Sequence, residues 1–393
     1  MRHFLLVISI LSMATISFGK LYLEHQWKYV ELFWESPQQK YEAIMSGRYN
    51  ASAAFFYDVD KGLDGRVFLT AGSDKTVVPA SILTVSEKQG ETGPLLRPYP
   101  DWSWYKDGCN GITGAVYNIE IKCNHMFLVD NGQIRKNQVC SPQLLIFDLY
   151  TDKLVKRVPI PIEIAHHKNT TGVLSSVAVF TPFCRNVKDD AVVFMADSKG
   201  SGLVVYNGRT SKMCRVESDS MKIPPDPNFV IENKTYHFSD TVHGMTIIGK
   251  DLYYATFMGR QIYKVEFQKL IDCSPQDINE ANRQTQSIAL EGPTTMLASH
   301  RCSLFFSDVT KRSIMCANVT KNFNSINKEL VAHDPKMEFS AGLKVRNGEL
   351  LILSNRFPLT SNNNLNRNEI NFRYFSIPIT DIENNTNCFS FCN

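Results

Sequence analysis

One short pattern recurs six times along this chain: two or three apolar residues, often with Phe or Tyr, closing near an Asp, Asn or Gly. It reads "RVFLTAG" from Arg66, "HMFLVDNG" from His125, "VVFMADSKG" from Val192, "DLYYATFMG" from Asp251, "SLFFSDVTK" from Ser303 and "ELLILSNRF" from Glu349. Aligned on Phe68, Phe127, Phe194, Tyr253, Phe305 and Ile352, the copies lie 59, 67, 59, 52 and 47 residues apart. A period of that size, built from short β-rich runs, is the signature of propeller blades. Upstream runs ("SSVAVF", "GMTIIG", "GLKV") and downstream runs ("LVVYN", "QIYKVEF") supply three or four strands per unit. The runs are continuously apolar, as expected of sheets covered on both faces. The expected fold is therefore all-β, a six-bladed β-propeller closed by disulfides and occupying residues 20–393 as one domain. The rival is an array of β-sandwich domains, but "KIPPDPNF" (222–229) and "SNNNLNRN" (361–368) are too short for linkers and read as loops. Helical periodicity is scarce, and "QDINEANRQTQ" predicts one short helix.

The first residues belong to a different logic. Arg2 and His3 precede an apolar stretch from Phe4 to about Thr15, and Ser17-Phe18-Gly19 supplies small residues for cleavage. Residues 1–19 are expected to be a secretory signal peptide, because the run is too short to span a bilayer. Ten cysteines without zinc-type CxxC spacing fit disulfides in an oxidising compartment. Sequons at Asn50, Asn169, Asn233, Asn318 and Asn384 are candidate glycan sites. A formal net charge of +3 with scattered charges leaves no basic stripe for nucleic acid. No later run is long enough for a membrane span.

Longer phrases resemble the major royal jelly protein/yellow family of insects. They are "HQWKYVELFW", "MSGRYN", "GPLLRPYPDWSW" (93–104), "CSPQLLIFDLYTDKLVKRVPIP" (140–161), "DAVVFMADSKGSGLVVYN", and "NEINFRYFSIPITDI" with "NTNC". "GPLLRPYPDWSW" and the "CSPQLL" phrase are similar to the royal jelly branch in particular. The resemblance implies a secreted six-bladed propeller and three disulfides: Cys109–Cys140, Cys123–Cys184 and Cys316–Cys388. It gives no partner for Cys214, Cys273, Cys302 or Cys392.

Chemistry in a propeller belongs to the axial channel and its mouth. The recurrent position supplies Asp130, Asp197, Asp308 and Asn355, either as caps bonding turn N–H groups or as a carboxylate-lined mouth for a cation. Asn355 and Phe357 in "LSNRF" resemble the pocket of amine-binding relatives, where the aromatic ring would meet an ammonium by a cation–π contact. Ala341 stands where those relatives carry a threonine, so one polar contact is missing. His243 and Thr113 resemble channel-facing positions and complete the ligand-binding candidates. His166-His167 reads as a solvated loop. No GxSxG, HExxH or Walker motif occurs, and His243 with Asp240 is the one nearby acid–base combination. No catalytic residue, metal ligand or cofactor is assigned.

The expected function is a secreted, non-enzymatic glycoprotein with a nutritional, glandular or venom role. Its partner is a small channel ligand, a biogenic amine or a sterol-like apolar molecule, with neither nucleic acid nor membrane span; an oligomer stays open. The alternatives are a yellow-type enzyme of the melanin pathway (dopachrome conversion) and a metal-dependent hydrolase.

Overall fold

A computed structural model of the protein describes residues 20–72, 78–106, 108–135, 137–167, 172–231, 233–321, 323, 326–359 and 365–392. The expected signal segment, Asn169 and part of 361–368 lie outside those residues. Six four-stranded antiparallel sheets form the blades of a propeller. Blade I is Phe55–Lys61, Val67–Gly72, Ile82–Gln89 and Pro94–Pro98; blade II is Ile119–Lys122, His125–Asp130, Gln143–Asp148 and Lys153–Pro159. Blade III is Leu174–Phe180, Val192–Asp197, Gly202–Asn207 and Lys212–Glu217; blade IV is Val242–Ile248, Asp251–Thr256, Gly259–Glu266 and Gln286–Thr294. Blade V is Leu297–His300, Ser303–Asp308, Ser313–Asn318 and Lys328–His333. Blade VI takes Phe339–Arg346, Glu349–Asn355 and Phe372–Pro378 from one chain end and Tyr22–Trp27 from the other. That last pairing closes the ring, with Trp27 opposite Phe372. The Trp27 indole is fully buried and donates to the Pro94 carbonyl at 2.8 Å.

The recurrent pattern marks the second strand of every blade, and all six alignment residues are buried there. Val192–Asp197, Gly202–Asn207 and Ser303–Asp308 are buried at every position, because both faces of each sheet meet a neighbouring blade. The outermost strands are different: Lys153–Pro159 has no buried residue, and Lys212–Glu217 buries only Val216. The expected short helix is present as Pro275–Gln284, begun by a Ser274 cap and a Pro in its first turn.

Features not anticipated include the helix Pro37–Met45, the N-terminal strand in blade VI, and a hairpin of Asn228–Ile231 with Lys234–His237. The hairpin begins within the stretch 222–229, which was expected to be loop alone. His166 and His167 are not simply solvated either, since His167 Nδ1 lies 2.7 Å from Glu217 Oε1 and burial lowers the His166 pKa.

All ten cysteines are paired. The three expected disulfides form, with Cα–Cα separations of 5.4, 5.3 and 6.0 Å. The four unassigned cysteines form Cys214–Cys273 and Cys302–Cys392. Cys214–Cys273 fastens the outer strand of blade III to the helix-bearing insertion of blade IV. Its sequence separation of 59 implies a loss of about 4 kcal/mol when the crosslink is removed. Chemical unfolding of a Cys214→Ser/Cys273→Ser variant should show that loss, and a difference below about 1 kcal/mol would show that the link carries no stability.

Candidate ligand-binding site in the axial channel

The first strand of each blade lines the axis, and four of the six carry a β-bulge near the start. The register slips between Phe56 and Asp58, Leu174 and Ser176, Val242 and Gly244, and Ser340 and Gly342. A bulge adds one unpaired residue and re-aims its side chain. The extra residues are Tyr57, Ser175, His243 and Ala341, and all four face one cavity of about 790 Å³. Blades II and V supply Tyr117 and Met296 to the same cavity from just ahead of their inner strands.

One wall is aromatic. Phe257 lies 6.1 Å from Phe339, Phe339 lies 6.5 Å from Phe357, and the His243 ring meets Phe257 edge-on at 5.1 Å. The hairpin reaches across this wall: Phe238, just after it, contacts Phe257 at 5.3 Å and Phe357 at 5.8 Å. Phe238 stacks in turn on Phe229 of the hairpin.

Of the four candidates read from the sequence, Asn355, Phe357 and His243 are brought together here and Thr113 is not. Thr113 belongs to a separate cleft of about 40 Å³ over blade II. Its N–H donates to Asp130 Oδ2 at 2.9 Å and its hydroxyl donates to the Gly108 carbonyl at 2.8 Å, which anchors it beside the Cys109–Cys140 link. Asn355 is 1% exposed and occupied: Nδ2 donates to the Phe56 carbonyl and Oδ1 accepts from the Phe357 N–H, both at 2.9 Å. It positions the Phe357 ring and closes blade VI on blade I. Tyr57, Tyr117, Phe257 and Phe339 were missed, because nothing in a single strand's pattern identifies the bulged or axis-facing residue.

The recurrent carboxylates act as caps. Asp130 accepts from the N–H groups of Thr113, Gly114 and Gly132. Asp197 accepts from those of Val173 and Gly200 and pairs with Arg215 at 3.0 Å. Asp308 accepts from the Lys311 N–H and the Thr310 hydroxyl. They serve separate turns rather than one mouth, and no grouping of acids, His and Cys among the described residues fits a metal ion.

His243 Nδ1 sits 3.0 Å from the Ser175 hydroxyl, and burial pushes its pKa down to about 4. The imidazole is therefore neutral at physiological pH. The anticipated His243–Asp240 pair does not form: Asp240 is bound to Lys199 at 2.9 Å. Among the described residues no carboxylate orients the imidazole, so a Ser–His dyad lacks its third member.

Beneath the cavity, an ion network crosses the axis. Asp58 Oδ2 accepts from Asn118 Nδ2 at 2.6 Å and the Ile119 N–H at 3.1 Å, and lies 3.4 Å from Lys344 Nζ. Glu120 pairs with Lys344 at 3.2 Å and with Arg346 at 2.8 Å, and Arg346 also holds Asp60. Burial pushes the Asp58 carboxyl up to about 7 against the Lys344 cation. Burial also opposes the Glu120 charge, but Arg346 and Lys344 outweigh it and hold that carboxyl down to about 2.

The folded state thus binds the Asp58 proton more tightly than the unfolded chain, whose carboxyl titrates near 3.8. This group's contribution to stability is present below about pH 4 and is lost as pH rises through 7. His243 has the opposite sign, losing stability as pH falls from 6.5 toward 4. In chemical unfolding from pH 7 down to pH 4, Asp58→Asn should weaken relative to the wild type, by on the order of 2–4 kcal/mol. His243→Gln should strengthen relative to the wild type over the same range. Parallel pH profiles would show that neither group titrates as its burial implies.

A family model described as major royal jelly protein matches residues 115–388. Major royal jelly protein 7 of Apis mellifera is 32% identical, over 95% of this chain and 88% of the relative. Major royal jelly protein 1 of the same species is 31% identical, over 93% and 88%. Major royal jelly protein 8, also from Apis mellifera, is 30% identical, over 93% and 92%.

Proposed function

This chain belongs to the major royal jelly protein family, and from that premise we propose that it is a secreted, non-enzymatic binding protein. Its axial cavity holds one small, largely apolar molecule. Residues 1–19 direct export and are removed, and residues 20–393 act as one propeller, in a nutritional, glandular or venom setting. The observation that carries the reading is the cavity itself. Its volume of about 790 Å³ lies within the range of small-molecule sites. Its wall combines aromatic rings with a few fixed polar groups, and among the described residues no acid orients the His243 ring that meets the Ser175 hydroxyl. Five disulfides suit a protein that must persist outside the cell. No helix among the described residues is long and apolar enough to cross a membrane.

Export also bears on the glycan sites. Asn50, Asn233 and Asn384 are exposed. Asn318 is 3% exposed, and its Nδ2 donates to the Ser390 carbonyl. Peptide mapping of protein from a secreting host should find glycans at the three exposed positions and an unmodified Asn318. A fully occupied Asn318 would mean that the blade V edge and the C-terminal segment are not packed together as described.

Binding is tested by calorimetry with a neutral aromatic probe, phenethyl alcohol. One molecule should bind per chain. Ala341→Phe, which places a ring at a bulged position facing the cavity, should abolish binding without lowering the unfolding free energy by more than about 1–3 kcal/mol. Saturable binding that survives this substitution would place the ligand elsewhere, and no binding to the wild type would remove the reading.

A further inference from the structure

We propose that the cavity selects an organic anion, a small aromatic or aliphatic carboxylate, over the corresponding amine. This deepens the binding reading above and rests on it. The cavity has two chemically different sides. Blades IV and VI, with the residue that follows the hairpin, supply the phenylalanine wall: Phe257, Phe339, Phe357 and Phe238. Blades II and III supply the cations Arg135 and Lys199.

Lys199 is held in the turn after Asp197, to which its N–H donates at 3.2 Å. Arg135 is exposed at the tip of the small hairpin of blade II and has no ion-pair partner among the described residues. Gln133 of that hairpin donates to the Gly172 carbonyl at 2.8 Å, which sets the blade II tip against blade III. The two cations therefore belong to adjoining blades.

The acidic side is already occupied. Among the described residues, Asp240 is the carboxylate facing the cavity, and it is bound to Lys199 at 2.9 Å. Asp58 lies under the wall, bonded to Asn118 and Ile119 and close to Lys344. Among the described lining residues, an ammonium entering the cavity would meet aromatic faces but no unpaired carboxylate, and its charge would face two cations. A carboxylate would meet Arg135 directly and share Lys199 with Asp240, while its apolar body lay against the phenylalanines. Bidentate geometry favours Arg135 for this role, since a guanidinium matches a carboxylate with two parallel N–H donors.

The test is a charge series on one skeleton: phenylacetate, phenethyl alcohol and phenethylamine, titrated calorimetrically at low and high salt. Phenylacetate should bind about three- to fivefold more tightly than the alcohol, the amine more weakly than the alcohol, and added salt should erode only the acid's advantage. Arg135→Met should abolish the acid's advantage over the alcohol when both are titrated on that variant. Lys199→Met releases Asp240 and should raise the amine's affinity. Equal or tighter binding of the alcohol or amine to the wild type overturns the anion preference and leaves the cavity reading intact. Failure of all three to bind removes the cavity reading, and the preference with it.

Discussion

Every junction between neighbouring blades is bridged by a polar side chain bonded across the gap. Thr70 donates to the Tyr117 carbonyl from blade I to the segment entering blade II. Asn131 bonds both ways with Leu174 between blades II and III. Thr241 reaches the Asp197 carbonyl between III and IV, and Thr246 and Ser299 share a bond between IV and V. Thr295 reaches Ser340 between V and VI, and Asn355 reaches Phe56 between VI and I. A blade edge near the axis carries backbone groups that water cannot reach, and each unmade bond there costs about 1–3 kcal/mol. The apolar faces press the blades together without direction, whereas these bonds fix the angle between them. Asn355 accordingly belongs to the closure of the ring before it belongs to any ligand.

The same closure produces the cavity. Strands that line a narrow axis converge, and the bulges in blades I, III, IV and VI absorb the crowding by turning one residue out of each ladder. The ring thereby acquires positions whose side chains face the cavity on the side where the inner strands begin. Toward the other ends of those strands the ladders are regular and the axis is filled by Asp58, Asp60, Glu120, Lys344 and Arg346. A second, polar cavity of about 240 Å³ opens beyond them. The apolar site and the ion network are opposite consequences of how the inner strands start and finish.

This division explains what the sequence could disclose. The six second strands were legible because each is built on an apolar run, and four of them end at a residue whose side chain bonds turn N–H groups: Asp130, Asp197, Asp308 and Asn355. Blade count and class followed from that periodicity. The closing strand Tyr22–Trp27 was hidden, because its partner Phe372–Pro378 lies at the far end of the chain and pairing leaves no local mark. The bulged residues were hidden for another reason: Tyr57, Ser175, His243 and Ala341 share a place in the backbone and no chemistry. His243 and Ala341 were reached through family resemblance. Thr113 was reached in the same way and misplaced, because Asp130 draws its backbone onto blade II. Cys214–Cys273 and Cys302–Cys392 join segments with no pairing signal in either one, and only the folded ring brings them within reach.

Buried ion networks are poor stabilisers, since desolvation offsets most of the attraction between the charges. The persistence of this one is better explained by its position. Inner strands of blades I, II and VI each contribute to it, so a shift of one blade along the axis would strand a charge without its partner, which is far more costly than forming the network is favourable. Asn118 extends the constraint upward: it lines the cavity, donates to Asp58 through Nδ2, and accepts from the Val177 N–H of blade III through Oδ1. The cavity floor is thus locked to the register of blades I, II, III and VI. A ligand resting on it meets a surface set by the ion network below, although it touches none of those charges. On the proposed reading, the cations Arg135 and Lys199 decide which charge the cavity accepts, while the buried ones hold the shape of the space in which that choice is made.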